Sequence, residues 1–465
     1  MKKHTVDMLS GSITKGLLSL IIPIMIMNTF QSLVSIIDMT ILGKLVNDNA
    51  VGAVGTCGSL ITLITGLIIG VSTGANVVVA KHIGANNPED ADRAVGTALF
   101  FALIAGIVLS LFGVIFAEKL LILINCDELL LEQATIYFRL YFAGVPFLFI
   151  YNFSASILRS IGDAKRPMLY MCTCGILKIV LNFLFITVFN ATVEGVGFAT
   201  VISWLISGSL CLRLLFKKDS KAHFKFKHFR FYFKELGKML YIGIPFGLQS
   251  VMYSFANVII VATVNAVGPE ATKGMSIANQ YDGLMYQIAV ASSYAVTPYV
   301  SQNIAAKNVD RAKKAVKTSI LLTILLGASL GGLMAIFSGP LCYIMTNNPI
   351  VVQYAQQKTI IVSSLYFITG ISECLGASLR AMEKPIIPTI CTLVFMCLIR
   401  FPWVWFVYPL FYGNLTFLYL IWPIGWTLAV ATLAIVYVIT IKKIKKKIDI
   451  KLQEENIETQ TPQVA

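Results

Sequence analysis

Charge is scarce in this chain. Of its 465 residues only 13% are Asp, Glu, Lys or Arg, about half the share found in soluble globular domains. No charged residue at all occurs in 17–37, 51–80, 97–117, 201–212 or 318–346. Most of these runs reach the roughly 20 apolar residues that cross a hydrocarbon core. Only helices can cross there, because each backbone N–H and C=O must be satisfied within its own segment. Histidine is scarcer still: His4, His82, His223 and His228 all fall in expected turns, with no zinc or triad spacing. No G-x-x-x-x-G-K-[ST] loop is present, so the chain is not expected to hydrolyse ATP. The nine cysteines have no even pairing or metal spacing, and Cys172 and Cys174, one residue apart in a helix, point to different faces. They read as small buried hydrophobes. These absences argue against an enzyme and call for no cofactor.

What is abundant is apolar surface: 57% of residues are hydrophobic and the mean hydropathy is +0.78. Spans are expected near 16–38, 51–78, 94–117, 135–157, 168–190, 194–212, 239–264, 275–300, 318–340, 354–378, 386–409 and 414–441. The apolar start is read as the first of these spans and not as a signal peptide, since it runs on too far and no small-residue cleavage site follows. The net charge of +14 could suggest nucleic acid, but its distribution argues against that partner. Most of the 37 Lys and Arg residues lie before the first span, in the even-numbered turns or after the last span. By the positive-inside rule both termini are cytoplasmic, in a multi-pass protein of the plasma membrane.

The chain also repeats itself. GLLSLIIP (16–23) resembles KMLYIGIP (238–245), AKHIGANNPEDADRAV (80–95) resembles SQNIAAKNVDRAKKAV (301–316), and SILRSIGDAKRP (156–167) resembles SLRAMEKP (378–385). The interval from Gly84 to Arg159 equals that from Ala305 to Arg380, and those from Pro23 to Gly84 and from Pro245 to Ala305 differ by one residue. The fold class that follows is an all-α polytopic membrane protein, with about 12 transmembrane helices in two parallel-repeat six-helix lobes around a central cavity. The expected organisation is a cytoplasmic N-terminus (1–15), an N-lobe (16–212), a basic cytoplasmic linker (213–238), a C-lobe (239–441) and a tail that is basic, then disordered (442–465). The linker either lies as a strap on anionic membrane lipid, with about 1 kcal/mol per basic residue, or serves only as a topology anchor.

Charges inside spans are the candidate functional residues, because each costs a few kcal/mol and should face protein or water. Asp38 lies about four turns beyond Pro23 in an otherwise uncharged segment. Lys178 and Asn182 are one turn apart in the fifth span, and Asp282, Glu373 and Arg400 fall within spans of the second half. Arg400 follows Lys178 by the same step as Pro245 follows Pro23, so each half carries one cation at an equivalent place. Asp282 or Glu373 is expected to pair with Arg400 or to bind a cationic substrate; a structural ion pair is the alternative. Gln249, Gln280 and Tyr281 are polar candidates beside these charges, and Tyr253, Tyr286 and Trp403 are aromatic ones for cation–π contact. Pro23, Pro245 and Pro402 lie in spans and permit kinks.

Several segments resemble the multidrug and toxic-compound extrusion (MATE) family of antiporters: Pro23 followed by DMTILG (38–43), GVSTGA (70–75) leading into AKHIGA (80–85), LRSIGDAKRP (158–167), GVGFAT (195–200) and GIPFGLQ (243–249). The resemblance runs from about residue 14 to about 440, and it is order and spacing together that make it specific. It implies two six-helix lobes, a central cavity, outward pumping driven by inward Na⁺ or H⁺, and a monomer. It assigns ion or proton coupling to Asp38, which matches the family's first-helix aspartate; local capping is the other reading of that residue. Where the family carries Asn and Asp in the fifth span, this chain has Lys178 and Asn182. Lys178 either pairs with Asp38, replacing a bound Na⁺, or snorkels to an interface. The expected function is therefore secondary active efflux of small organic compounds, cationic or amphipathic, through alternating access of the lobes. The alternative is a flippase for lipid-linked oligosaccharide precursors. Such a flippase should line its cavity with several cations, and only Lys178 and Arg400 qualify.

Overall fold

The computed structural model describes residues 5–217, 222–411 and 413–460. Lys2, Lys3, His4, Lys218 and Lys221, together with the end of the expected tail (461–465), lie outside the described residues. The described chain is helical throughout, without a strand. The first half holds α1 (Ile13–Leu45), α2 (Asp48–Gly84), α3 (Pro88–Leu123), α4 (Glu128–Ser160), α5 (Lys165–Thr187) and α6 (Val193–Leu215). The second holds α7 (Phe233–Asn265), α8 (Pro269–Ala305), α9 (Val309–Ile336), the short α10 (Ser338–Met345), α11 (Pro349–Ser364) and α12 (Phe367–Ala381). The eleventh span, Ile386–Phe411, follows, and after a short turn of helix the chain closes with Ile421–Gln460.

Among the described residues ten helices are long and apolar enough to cross a membrane, and eleven when α11 and α12, bent by 42° at their junction, count as one span. The eighth expected span, 275–300, is the one not among them and falls in α8. This helix is rich in Ser, Tyr, Gln and Asn and is buried along much of its length. A polar helix of this kind is tolerated at membrane depth where protein, not lipid, surrounds it. The chain is thus a multi-pass membrane protein. The tail expected to be disordered from Glu454 is helical backbone as far as Gln460; its Lys, Leu, Gln and Glu are good helix formers.

Capping repeats with the sequence. Asn87 Oδ1 accepts from Asp90 N at the start of α3, and Asn308 Oδ1 from Arg311 N at the start of α9. Just before these caps Asn86 (φ 54°) and Lys307 (φ 61°) take the left-handed conformation, so the related segments form the same turn twice. At the second repeated turn Gly162 (φ 87°) and Glu383 (φ 60°) do likewise.

Two compact units result. Among the described residues one holds Leu18–Ser254 with those before Met8; the other holds Met8–Leu17 and those from Phe255 onward. In the first, α4 is the most deeply buried helix and packs against α2, α3 and α6. Its Phe138, Phe142 and Phe153 are fully buried. Asn76 on α2 donates to Ser156 O (2.7 Å) and Ser156 Oγ to Ser72 O (2.6 Å), tying α2 to α4. The linker folds back on α3: Lys225 meets Asp92 at 2.6 Å, and Phe229 and Phe231 pack edge-on against Phe100. In the second unit α8 packs against α9, α11 and α12, and α12 against the closing helix. Within it, Asn303 Nδ2 and Arg311 Nε both donate to Met8 O.

Candidate functional site

Each unit carries a carboxylate locked by donors at membrane depth. In the first, α1 presents Asp38 to α5. Lys178 Nζ reaches Asp38 Oδ2 at 2.6 Å and Asn182 Nδ2 reaches Oδ1 at 2.6 Å. Lys178 and Asn182 are one turn apart and so share a face of α5. The aspartate side chain is 9% exposed and the lysine 14%. Both carboxylate oxygens are therefore met by a side-chain donor, one of them a tethered ammonium. The pairing expected for Lys178 is what the structure contains; snorkelling is not.

In the second unit α8 presents Asp282 to α11. Lys358 Nζ lies 2.7 Å from Asp282 Oδ2, Ser363 Oγ donates to Oδ1 at 3.2 Å, and Asn279 Oδ1 accepts a further bond from Lys358. The lysine side chain is 1% exposed and the aspartate 14%. Glu373 meets Arg380, seven residues on along α12, at 3.6 Å. Pairing of Asp282 or Glu373 with Arg400 is therefore corrected. Each carboxylate already has a cation on its own or an adjoining helix, and Arg400 instead donates to Asn257 Oδ1 at 2.5 Å. Two cations lie over the Trp422 ring, Lys358 Nζ at 5.1 Å and Arg400 Cζ at 5.5 Å from its centroid. Both distances suit cation–π attraction.

The remaining candidates are dispersed. Tyr281 donates its hydroxyl to Leu341 O, away from the charges, and Gln280 is exposed on α8. Gln249 is buried in α7. Trp403 donates to Phe417 O. Pro23 and Pro245 sit inside continuous helices, whereas the span around Pro402 is interrupted by π-helical stretches at Leu393–Leu398 and Trp403–Val407 that flank Arg400. Among the described residues no cluster of three or more His, Cys, Asp or Glu side chains could hold a metal. A cavity of about 420 Å³, lined by apolar side chains including Ile64, Phe101, Phe138 and Phe142, opens between α2, α3 and α4 and includes none of the charged candidates. Lys358, Ser363, Asn257 and Trp422 escape the sequence reading. Lys358 lies near the start of its expected span, where a lysine is ordinarily interfacial.

Comparison with known proteins agrees with the duplication. The MatE family matches residues 23–184 and again 245–406, so both ends of the second match lie 222 residues after those of the first. Among curated proteins the chain is 26% identical over 387 residues to "Probable multidrug resistance protein YoeA" of Bacillus subtilis, covering 82% of this chain and 83% of that one. It is 26% identical over 403 residues to the "FAD transporter" of Shewanella oneidensis, covering 82% and 88%. Among solved structures it superposes with TM-score 0.87 on an outward-facing multidrug resistance MATE family transporter of the MOP superfamily, at 23% identity over 95% of this chain and 99% of that one. A MOP superfamily transporter from Pyrococcus furiosus gives 0.88, at 21% identity over 94% and 98%. At such identities the structural likeness establishes the two-lobe fold. With its family match falling once in each half and together spanning well over half of the sequence, the chain belongs to the MatE family of membrane transporters.

Proposed function

We propose that this protein is a proton-coupled exporter of small organic compounds, acting as a monomer in the plasma membrane by alternating access, with both termini in the cytoplasm. The observation that carries the reading is the occupancy of Asp38, whose two oxygens are taken by the Lys178 ammonium and the Asn182 amide. A lysine tethered at 2.6 Å supplies the positive charge that a sodium ion would bring, which leaves the proton as the exchangeable cation. A proton arriving from outside neutralises Asp38 and releases Lys178. Loss of that proton to the cytoplasm restores the pair. Breaking a buried ion pair costs about 3–5 kcal/mol. At 100 mV and one pH unit the proton gradient supplies about 3.7 kcal/mol per proton, which is of the same order as breaking the pair. Efflux of organic compounds is supported by the names of relatives such as the multidrug resistance protein of Bacillus subtilis and the FAD transporter of Shewanella oneidensis.

The test is ethidium efflux from pump-deficient cells expressing the wild type, under an imposed pH gradient or an imposed Na⁺ gradient at fixed pH. Efflux is expected to follow the inward proton gradient and to ignore Na⁺. Efflux driven by Na⁺ alone would overturn the proton reading.

A further inference from the structure

We propose that Asp282 and Lys358 form a second proton-exchange site, so that the transporter carries one titrating carboxylate in each half. The proposal takes its functional meaning from the proton-coupled reading of Asp38, but it rests on separate geometry.

Both sites have the same composition: one aspartate, one lysine at 2.6 or 2.7 Å from Oδ2, and a neutral polar side chain donating to Oδ1. Gene duplication does not account for this likeness. Stepping by 222 residues takes Asp38 to Ile260 and Lys178 to Arg400. Counting from the Gly84/Ala305 and Arg159/Arg380 landmarks, Asp282 corresponds to Ile61 and Lys358 to Tyr137. Neither half inherited the other's acid. At the place equivalent to the α1–α5 lock the second half keeps the cation, Arg400, but offers it the amide of Asn257, which takes up no proton. Its carboxylate stands instead on α8, facing a lysine on α11. The same device built twice on unrelated positions is unlike drift in a structural pair, since well-packed apolar residues often replace a buried ion pair without loss of stability.

The surroundings suit proton exchange. Asp282 is 14% exposed while Lys358 is 1% exposed, and Asn279, which holds the lysine from the other side, is itself exposed on α8. The acid thus stands at the open edge of the cluster with the amine behind it. When a proton binds Asp282, Lys358 keeps its own and retains two other partners, Asn279 Oδ1 and the Trp422 face. The other titratable groups near Asp282 are tyrosines. Tyr281 is turned away to Leu341 O, Tyr419 lies within electrostatic reach of Asp282, and Tyr354 within that of Tyr419. Among the described residues the remaining charged groups buried in this unit are Arg400, whose guanidinium also lies over the Trp422 ring, and the Glu373–Arg380 pair.

Infrared difference spectroscopy on the reconstituted full-length protein, recorded as the pH is lowered, reads protonated carboxyl groups directly and needs no substrate. The wild type is expected to show two buried carboxyl bands, with Asp38→Asn removing one and Asp282→Asn the other. The double variant Asp282→Asn, Lys358→Met leaves no unpaired buried charge; it should melt like the wild type and still lack the second band. An Asp282→Asn spectrum identical to the wild type would overturn the proposal. So would a second band that disappears only in Glu373→Gln. Loss of no band in Asp38→Asn would sink the reading of Asp38 and leave that of Asp282 standing.

Discussion

Asp38→Asn is expected to lower proton-driven ethidium efflux at least about tenfold, the equivalent of losing about 1.4 kcal/mol of coupling. Asparagine preserves the volume of the side chain and an acceptor for Lys178, but it cannot take up a proton. The charge that moves the lysine is therefore gone. The variant also strands Lys178, which is 14% exposed, and an unpaired buried charge destabilises by about 3–5 kcal/mol. Reduced efflux could then reflect reduced folded protein. The double variant Asp38→Asn, Lys178→Met separates the two effects. It removes both charges, so its melting temperature should return towards the wild type while efflux stays at the level of the single variant. Thermal melts and efflux on matched amounts of membrane protein provide the measurement. Wild-type pH-driven efflux in the double variant would show that Asp38 is a structural partner and not the coupling group.

The second large effect concerns packing. Replacing Gly74 with leucine is expected to cost about 3 kcal/mol or more, towards the upper end for overpacked cores, and to reduce the folded fraction in detergent at least about tenfold. Within the first unit α2 and α7 approach backbone to backbone. A Cβ at Gly74 would overlap the Met239 carbonyl oxygen, and one at Gly70 the amide of Gly247. Backbone atoms cannot swing aside as a flexible side chain can. Small residues four apart allow this approach in membranes, where lipid-facing apolar side chains gain little by leaving lipid. Gly58, on the same helix, has no atom within 4 Å of its would-be Cβ, so Gly58→Ala should leave yield unchanged. Size-exclusion profiles of the two variants test the contrast. Equal monomer peaks would mean that α2 and α7 can move apart without loss.

Class, duplication and the members of the first lock were legible in the residues because each is written along the chain. The uncharged runs are linear features, and a hydrocarbon core allows them only one kind of structure. The repeat is visible because its turns need particular residues in order, such as Asn87 and Asn308 at helix starts. Lys178 and Asn182 share a face because helices place residues four apart together. By itself the sequence therefore determined a duplicated helical membrane protein and offered Asp38, Lys178 and Asn182 as candidates; that Lys178 meets Asp38 and does not snorkel was decided by how α1 and α5 pack.

Only the tertiary structure decided the charge partners of the second half. Arg380 reads as one more cytoplasmic basic residue, yet it is 2% exposed and holds Glu373 two turns back. Lys358 reads as interfacial, yet it is buried against Asp282. In a soluble helix the polar face reveals which side looks inward. In α8 polar residues lie on both the buried and the exposed sides, Ser292 and Gln302 buried and Asn279 and Gln280 exposed, and the period that would point to a partner vanishes. Which helix Asp282 faces was consequently set by how α8 and α11 pack, and that packing leaves no mark in the order of their residues.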